Sequence, residues 1–88
     1  RNGSIYIADT YNHRIKKADL SERSIQTIAG TGRPGFADGA SDTAAFYEPS
    51  GITFLGDSCF IADTNNHAVR IYDRRSGEVS TMRIDAKR

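Results

Sequence analysis

The heptapeptide Ile7-Ala8-Asp9-Thr10-Tyr11-Asn12-His13 returns as Ile61-Ala62-Asp63-Thr64-Asn65-Asn66-His67, fifty-four residues later and identical at six of its seven positions. The same offset carries Ile15 to Val69, Lys16 to Arg70, Asp19 to Asp73, Ile25 to Val79 and Thr27 to Thr81. A register kept that long without a gap marks an internal repeat, and a repeat sets the architecture before any single residue does. Within each copy, short runs rich in β-branched and aromatic residues alternate with turn residues. Ser4–Ala8, Arg14–Ala18 and Ser24–Ile28 read as three strands of the first copy; Ser58–Ala62, Ala68–Tyr72 and Glu78–Met82 read as their counterparts. The first strand of each copy lacks strict apolar/polar alternation, which predicts burial on both faces. Gly51-Ile52-Thr53-Phe54-Leu55, bounded by Gly51 and Gly56, adds a fourth strand ahead of the second copy. The turns fall at 19–23 and 73–77, where Gly77 accepts positive φ without a steric penalty.

Composition narrows the function classes. Of the 88 residues, 38% are hydrophobic and 26% charged, a globular balance and not that of a disordered chain. Twelve Lys and Arg against eleven Asp and Glu leave a net charge of +1, so bulk charge draws the chain to neither nucleic acid nor membrane. No apolar run approaches the ~18 residues of a membrane helix, and no membrane partner is expected. No targeting signal is visible in Arg1-Asn2-Gly3. The single cysteine, Cys59, excludes an internal disulfide and a cysteine-based zinc site, and its alignment with Ile5 places it as a small apolar strand residue. Asn2-Gly3-Ser4 fits the glycosylation pattern, but Asn-Gly is equally a hairpin turn, and the turn is the reading preferred.

Four short antiparallel strands in a unit of some fifty residues are the signature of a β-propeller blade. The fold expected is therefore all-β: a propeller segment of about two four-stranded antiparallel blades, the first without its innermost strand. A blade is a small sheet that covers its faces by packing on neighbouring blades. The remaining blades are expected from a longer chain or from oligomerisation.

The strings Tyr6-Ile7-Ala8-Asp9-Thr10-Tyr11-Asn12-His13-Arg14-Ile15 and Phe60-Ile61-Ala62-Asp63-Thr64-Asn65-Asn66-His67-Ala68-Val69 resemble the NHL repeat. The stretch Thr27-Ile28-Ala29-Gly30-Thr31-Gly32, with Gly35, Asp38-Gly39, Ala45-Phe46 and Pro49-Ser50-Gly51-Ile52, resembles the connection between blades in one NHL subgroup, in which a thioredoxin-like domain precedes the propeller. The resemblance runs from Gly3 to Met82 and implies six-bladed propellers. Ile15 and Val69 stand where the family name has Leu, a conservative exchange in a strand; Ala68 interrupts a position often basic in the family and kept as Arg14 in the first copy. On this reading 1–29 is a partial blade of three strands, 30–50 the connecting loop, 51–83 a four-stranded blade and 84–88 a tail.

Candidate sites are weighed on the same residues. Asp9, Asn12, His13, Asp63, Asn66 and His67 occur once per blade, so they are read as structural turns: Asp accepting backbone N–H bonds, Asn taking the left-handed conformation, His donating a ring N–H. A metal site would need three or four ligands converging on one point. Arg14, Lys16, Lys17, Arg70, Arg74 and Arg75 flank the second turns as a candidate basic rim for RNA, interleaved with Asp19, Glu22, Asp57, Asp73 and Glu78. Gly30-x-Gly32-x-x-Gly35 has the letters of a dinucleotide fingerprint without the βαβ unit that gives it meaning. Asp38 and Asp42 are read as solvated loop acids rather than calcium ligands. No cofactor is expected. A lyase-like central metal would need ligands on the innermost strand, and Ile52–Leu55 has none.

Ser41–Tyr47 is predicted to make one or two helical turns with Ser41 as N-cap, stopped by Pro49. The function expected is that of a non-enzymatic binding scaffold for a protein partner, with Arg33, Phe36 and Tyr47 of the loop and Arg14 and Arg70 beside it as contacts. The alternatives are the accessory propeller of a thioredoxin-fused redox protein and an RNA-binding propeller.

Overall fold

The computed structural model describes residues 3–82. Asn2 of the Asn-Gly-Ser triplet, residue 83 and the 84–88 tail lie outside the described residues. Strands β1 (Ser4–Asp9), β2 (Arg14–Asp19) and β3 (Ser24–Ala29) form one antiparallel sheet in the order β1-β2-β3. Strands β4 (Gly39–Ala40), β5 (Pro49–Leu55), β6 (Ser58–Asp63), β7 (Ala68–Asp73) and β8 (Glu78–Met82) form a second, in the order β4-β8-β7-β6-β5. The shared sequence register becomes a shared pairing register: Ile7 lies opposite Lys16 in the first sheet, and Ile61 opposite Arg70 in the second. The structure is all-β, a pair of propeller blades. No helix among the described residues is long and apolar enough to cross a membrane.

Residues directly opposite one another share a sheet face. One face of the second sheet therefore carries Ile52, Phe54, Cys59, Ile61, Arg70, Tyr72 and Val79. This face packs toward the first sheet, and with Ile15, Ala29, Ala44 and Phe46 it makes the core, flanked by Ala8 and Ile28. Tyr6 of β1 and Phe54 of β5 meet edge to face across the blade boundary, ring centroids 4.7 Å apart. Burial in β6 alternates, with Cys59, Ile61 and Asp63 fully buried and Ala62 exposed. The strand is thus buried on one face only, against the two-faced burial expected, because the first sheet covers just one side of the second.

Both copies turn from their first to their second strand through a single 3₁₀ turn, Thr10–Asn12 or Thr64–Asn66. The residue in the left-handed region is the histidine that closes it, His13 at φ 56° and His67 at φ 53°, not the asparagine expected there. The histidine N–H returns to the Thr10 or Thr64 carbonyl, closing the turn as a left-handed C-cap does. At the later turn Gly77 takes φ 76°, and Arg23 occupies the equivalent left-handed position of the first copy at φ 55°.

The connection between blades departs furthest from expectation. No helix forms over Ser41–Tyr47. One turn closes through Thr43 and Ala44 N–H groups to the Ala40 carbonyl, after which Ala45 pairs with Ala37 in an isolated antiparallel bridge. That pairing draws the chain out extended and turns Phe46 into the core, which a continuing helix could not do. Gly39–Ala40 adds a two-residue strand outside β8, so the second blade has five strands rather than four.

Candidate functional site: a clasp beneath the inter-blade connection

Asp63 ends β6, and its carboxylate is completely buried. Its two oxygens do not cap the adjacent turn. Oδ1 accepts from the backbone N–H of Tyr47 at 2.8 Å, while Oδ2 accepts from Asn66 Nδ2 at 2.8 Å and from Arg70 at 2.7 Å. Asn66 also donates to the Gly35 carbonyl. Arg70, opposite Ile61 on β7, is likewise fully buried. It donates to the carbonyls of Ala45 (2.8 Å) and Ala37 (2.6 Å) and to Asp38 Oδ1 (2.9 Å), which also accepts from Thr81. The guanidinium lies between the rings of Phe36 and Phe46, 4.8 and 5.0 Å from their centroids. Four N–H bonds to two carboxylates and two carbonyls, with an aromatic ring on either side, use the planar fork in a way a lysine could not. Its Nε–H alone has no partner.

The unit Asp63–Asn66–Arg70 thus clasps the connection from below. A second fastening comes from the first blade: Glu48 N–H donates to His13 Nδ1 at 3.1 Å, so the ring accepts here, against the donor role expected, and it packs edge-on against Tyr47. Glu48 itself stands in the left-handed region at φ 55°. Gly30 enters the connection at φ 106°, where a Cβ would stand 2.6 Å from the His13 carbonyl oxygen.

The first blade repeats the clasp in open form. Asp9 accepts from Asn12 at 3.2 Å and pairs with Lys16 at 2.9 Å, and Lys16 stands at the position of Arg70. Both side chains keep about a quarter of their surface in solvent, 25% and 26%. The Lys16 ammonium, and after it the Asn12 amide, hold the Asp9 carboxyl below its ordinary 3.8.

Of the residues singled out from sequence, Arg33, Phe36 and Tyr47 are exposed on the outer surface of the connection, with Phe36 58% exposed. Arg14 is half-buried, its guanidinium against Gly32. Arg70 is corrected: it is no surface contact but the centre of the clasp, because the carboxylates of Asp63 and Asp38 hold its charge inside. Asp38, read as solvated, is one of its partners. His67 is exposed. The basic rim is further thinned by Arg74, which lies over Phe54 (4.8 Å) and donates to the Gly56 carbonyl. With Ser4, Tyr6, Ile52, Phe54 and Gly56 it lines a cleft of about 350 Å³ between the blades. Cys59 is buried, and burial pushes its thiol up to about 11. Among the described residues no cluster of His, Cys, Asp or Glu could hold a metal ion.

The NHL repeat family matches residues 1–18. Over 82 residues the chain is 44% identical to Protein SUPPRESSOR OF QUENCHING 1, chloroplastic, of Arabidopsis thaliana, covering 92% of this chain and 8% of that protein. Over 83 residues it is 37% identical to NHL repeat-containing protein 2 of Homo sapiens, covering 91% of this chain and 11% of that one. The chain therefore spans about a tenth of the length of these relatives. Among solved structures, an auxiliary nutrient binding protein from Bacteroides ovatus superposes with a TM-score of 0.76 at 22% identity, over 90% of this chain and 22% of that chain, a likeness of fold. The protein is thus a β-propeller segment built of paired antiparallel blades. It belongs with the NHL-repeat proteins.

Proposed function

We propose that the chain is a non-enzymatic scaffold that presents the connection between its blades to a protein partner. The observation carrying this reading is the contrast between the two sides of that connection. Its inner side is fixed by Asp63, Asn66, Arg70 and His13, while its outer side offers Arg33, Phe36 and Tyr47 to solvent. Tyr11, 82% exposed, stands on the neighbouring turn of the first blade, next but one to His13. Arg and aromatic side chains are enriched in interface cores, and a contact set already held rigid loses less entropy when a partner binds. On the domain organisation proposed, 1–29 and 51–83 are the blades and 30–50 the presenting segment.

The RNA reading loses support from the side chains it needs, since Arg70 is internal and Lys16 is paired with Asp9. The test is quantitative cross-linking in cells, with partners identified by mass spectrometry. Tyr11→Ser with Arg33→Glu, both at exposed positions, is expected to remove the main protein partner while leaving the circular dichroism spectrum and melting temperature of the chain intact. Retention of every partner by that variant, or RNA as the main cross-linked species, would overturn the proposal.

A further inference from the structure

Consecutive backbone N–H groups of the connection are claimed by different blades. Tyr47 N–H donates to the Asp63 carboxylate of the second blade at 2.8 Å, and Glu48 N–H donates to His13 Nδ1 of the first at 3.1 Å. The two acceptors differ in kind. Asp63 accepts as a carboxylate already paired with Arg70. An imidazole accepts only through the lone pair of its unprotonated nitrogen, and in the imidazolium both nitrogens are donors. A proton and the Glu48 N–H therefore compete for one site on His13. Glu48 stands at φ 55°, a region that residues with a Cβ populate sparsely and keep only where their surroundings fix it. The His13 ring is half-buried and lies edge-on to Tyr47, centroids 5.7 Å apart.

We infer that protonation of His13 unfastens Tyr47 and Glu48 from the first blade. In neutral solution the connection is held from both sides. In mild acid, within the range of roughly pH 5–8 where histidine changes charge, it is held by the second blade alone. The titratable and charged groups nearby leave that competition to decide the outcome. The turn of His13 brings Asp9 and Tyr11, and β2 brings Arg14 and Lys16; Asp9 is paired with Lys16, and the Arg14 guanidinium lies against Gly32. Strand β3 and the Gly30 that follows it, set against the His13 backbone, bring no charge. The connection brings the Tyr47 hydroxyl and the Glu48 carboxyl, and on the side of the second blade Asp63 is committed to Arg70. Among the described residues no carboxylate pairs with the His13 ring, so no ion pair offsets the bond lost on protonation. His67, exposed at the equivalent turn, is the other histidine of the chain and an internal reference. The latch is a property of the fold and stands whatever the connection binds; under the scaffold reading it makes the presentation of Tyr47 dependent on pH.

The test is a nuclear magnetic resonance titration of the nitrogen-labelled chain from about pH 8 to about pH 5, following both histidine rings and the Tyr47 and Glu48 amides. The Glu48 amide shift is expected to move with the midpoint of the His13 ring and not with that of His67. Its hydrogen-exchange protection, corrected for the intrinsic rate at each pH, is expected to fall several-fold, while the Tyr47 amide keeps its own. His13→Asn, which suits the left-handed position and does not titrate, is expected to abolish the response at Glu48; His67→Asn is expected to leave it in place. Three results would overturn the inference: a Glu48 amide that ignores the His13 titration, a response that survives His13→Asn, or parallel loss of protection at Tyr47 and Glu48. Failure of the scaffold reading shows in the cross-linked partners and leaves these amide shifts untouched.

Discussion

Arg70 and Lys16 occupy one position of the repeat and live in different electrostatic surroundings. Arg70 is buried between two carboxylates and two rings, so truncating it strands the Asp63 charge in the interior. Breaking a buried pair in this way costs about 3–5 kcal/mol. A chain of this length has roughly 4–13 kcal/mol of stability in all, at some 0.05–0.15 kcal/mol per residue. Arg70→Ala is therefore expected to leave a large fraction of the chain unfolded at 37 °C. Lys16→Ala, which removes a partly solvated and salt-screened partner, should shift the urea midpoint only slightly. Urea titrations followed by circular dichroism check both, and equal midpoints for the two variants would count against the clasp. The aspartate and asparagine of this unit were legible in the sequence because they repeat, and repetition separates them from surface polar residues. The burial of Arg70 was not legible. Nothing in Ala68-Val69-Arg70-Ile71 records that a loop thirty residues upstream folds over it, and a lone arginine in a strand reads as surface by default.

At the scale of elements, the strands were legible to within a residue or two, because β-branched runs and turn residues are local signals. The connection was not, since its conformation is set by partners distant in sequence: Ala45 on Ala37, Asn66 on Gly35, Glu48 on His13. A local preference for helix at Ser41–Tyr47 yields to these bonds and to the burial of Phe46. The segment depends in turn on a few backbone positions. Gly30→Ala would drive a methyl group into the His13 carbonyl while holding alanine at φ 106°. A loss of about 1–3 kcal/mol is expected, concentrated in the connection. Hydrogen exchange should therefore show faster exchange at Gly35, Ala45 and Tyr47 than in the strands of the first sheet, and uniform acceleration across both sheets would contradict this.

The whole molecule is a short row of two sheets, 45 × 27 × 22 Å, whose apolar surface is only partly covered. The face of the second sheet turned away from the first carries Leu55, 74% exposed, with Phe60, Val69, Ile71 and Met82. The opposite end of the row shows Ile5 and Ile25. Two unlike apolar faces at the ends of one body favour head-to-tail contact, which closes into a ring or continues as a filament. Sedimentation velocity is expected to show mass rising with concentration, and Leu55→Glu or Ile25→Glu each to suppress it; a single monomeric species at every concentration would contradict the packing. The placement of the clasp bears finally on modularity. The seam seen when the letters are aligned, near Ser50 and Gly51, is not the seam along which the protein comes apart, because 35–47 is clasped by side chains of the blade that follows it. Exchange or duplication of these modules, whether by recombination or in the laboratory, preserves a working fastener only when the cut falls ahead of Gly35.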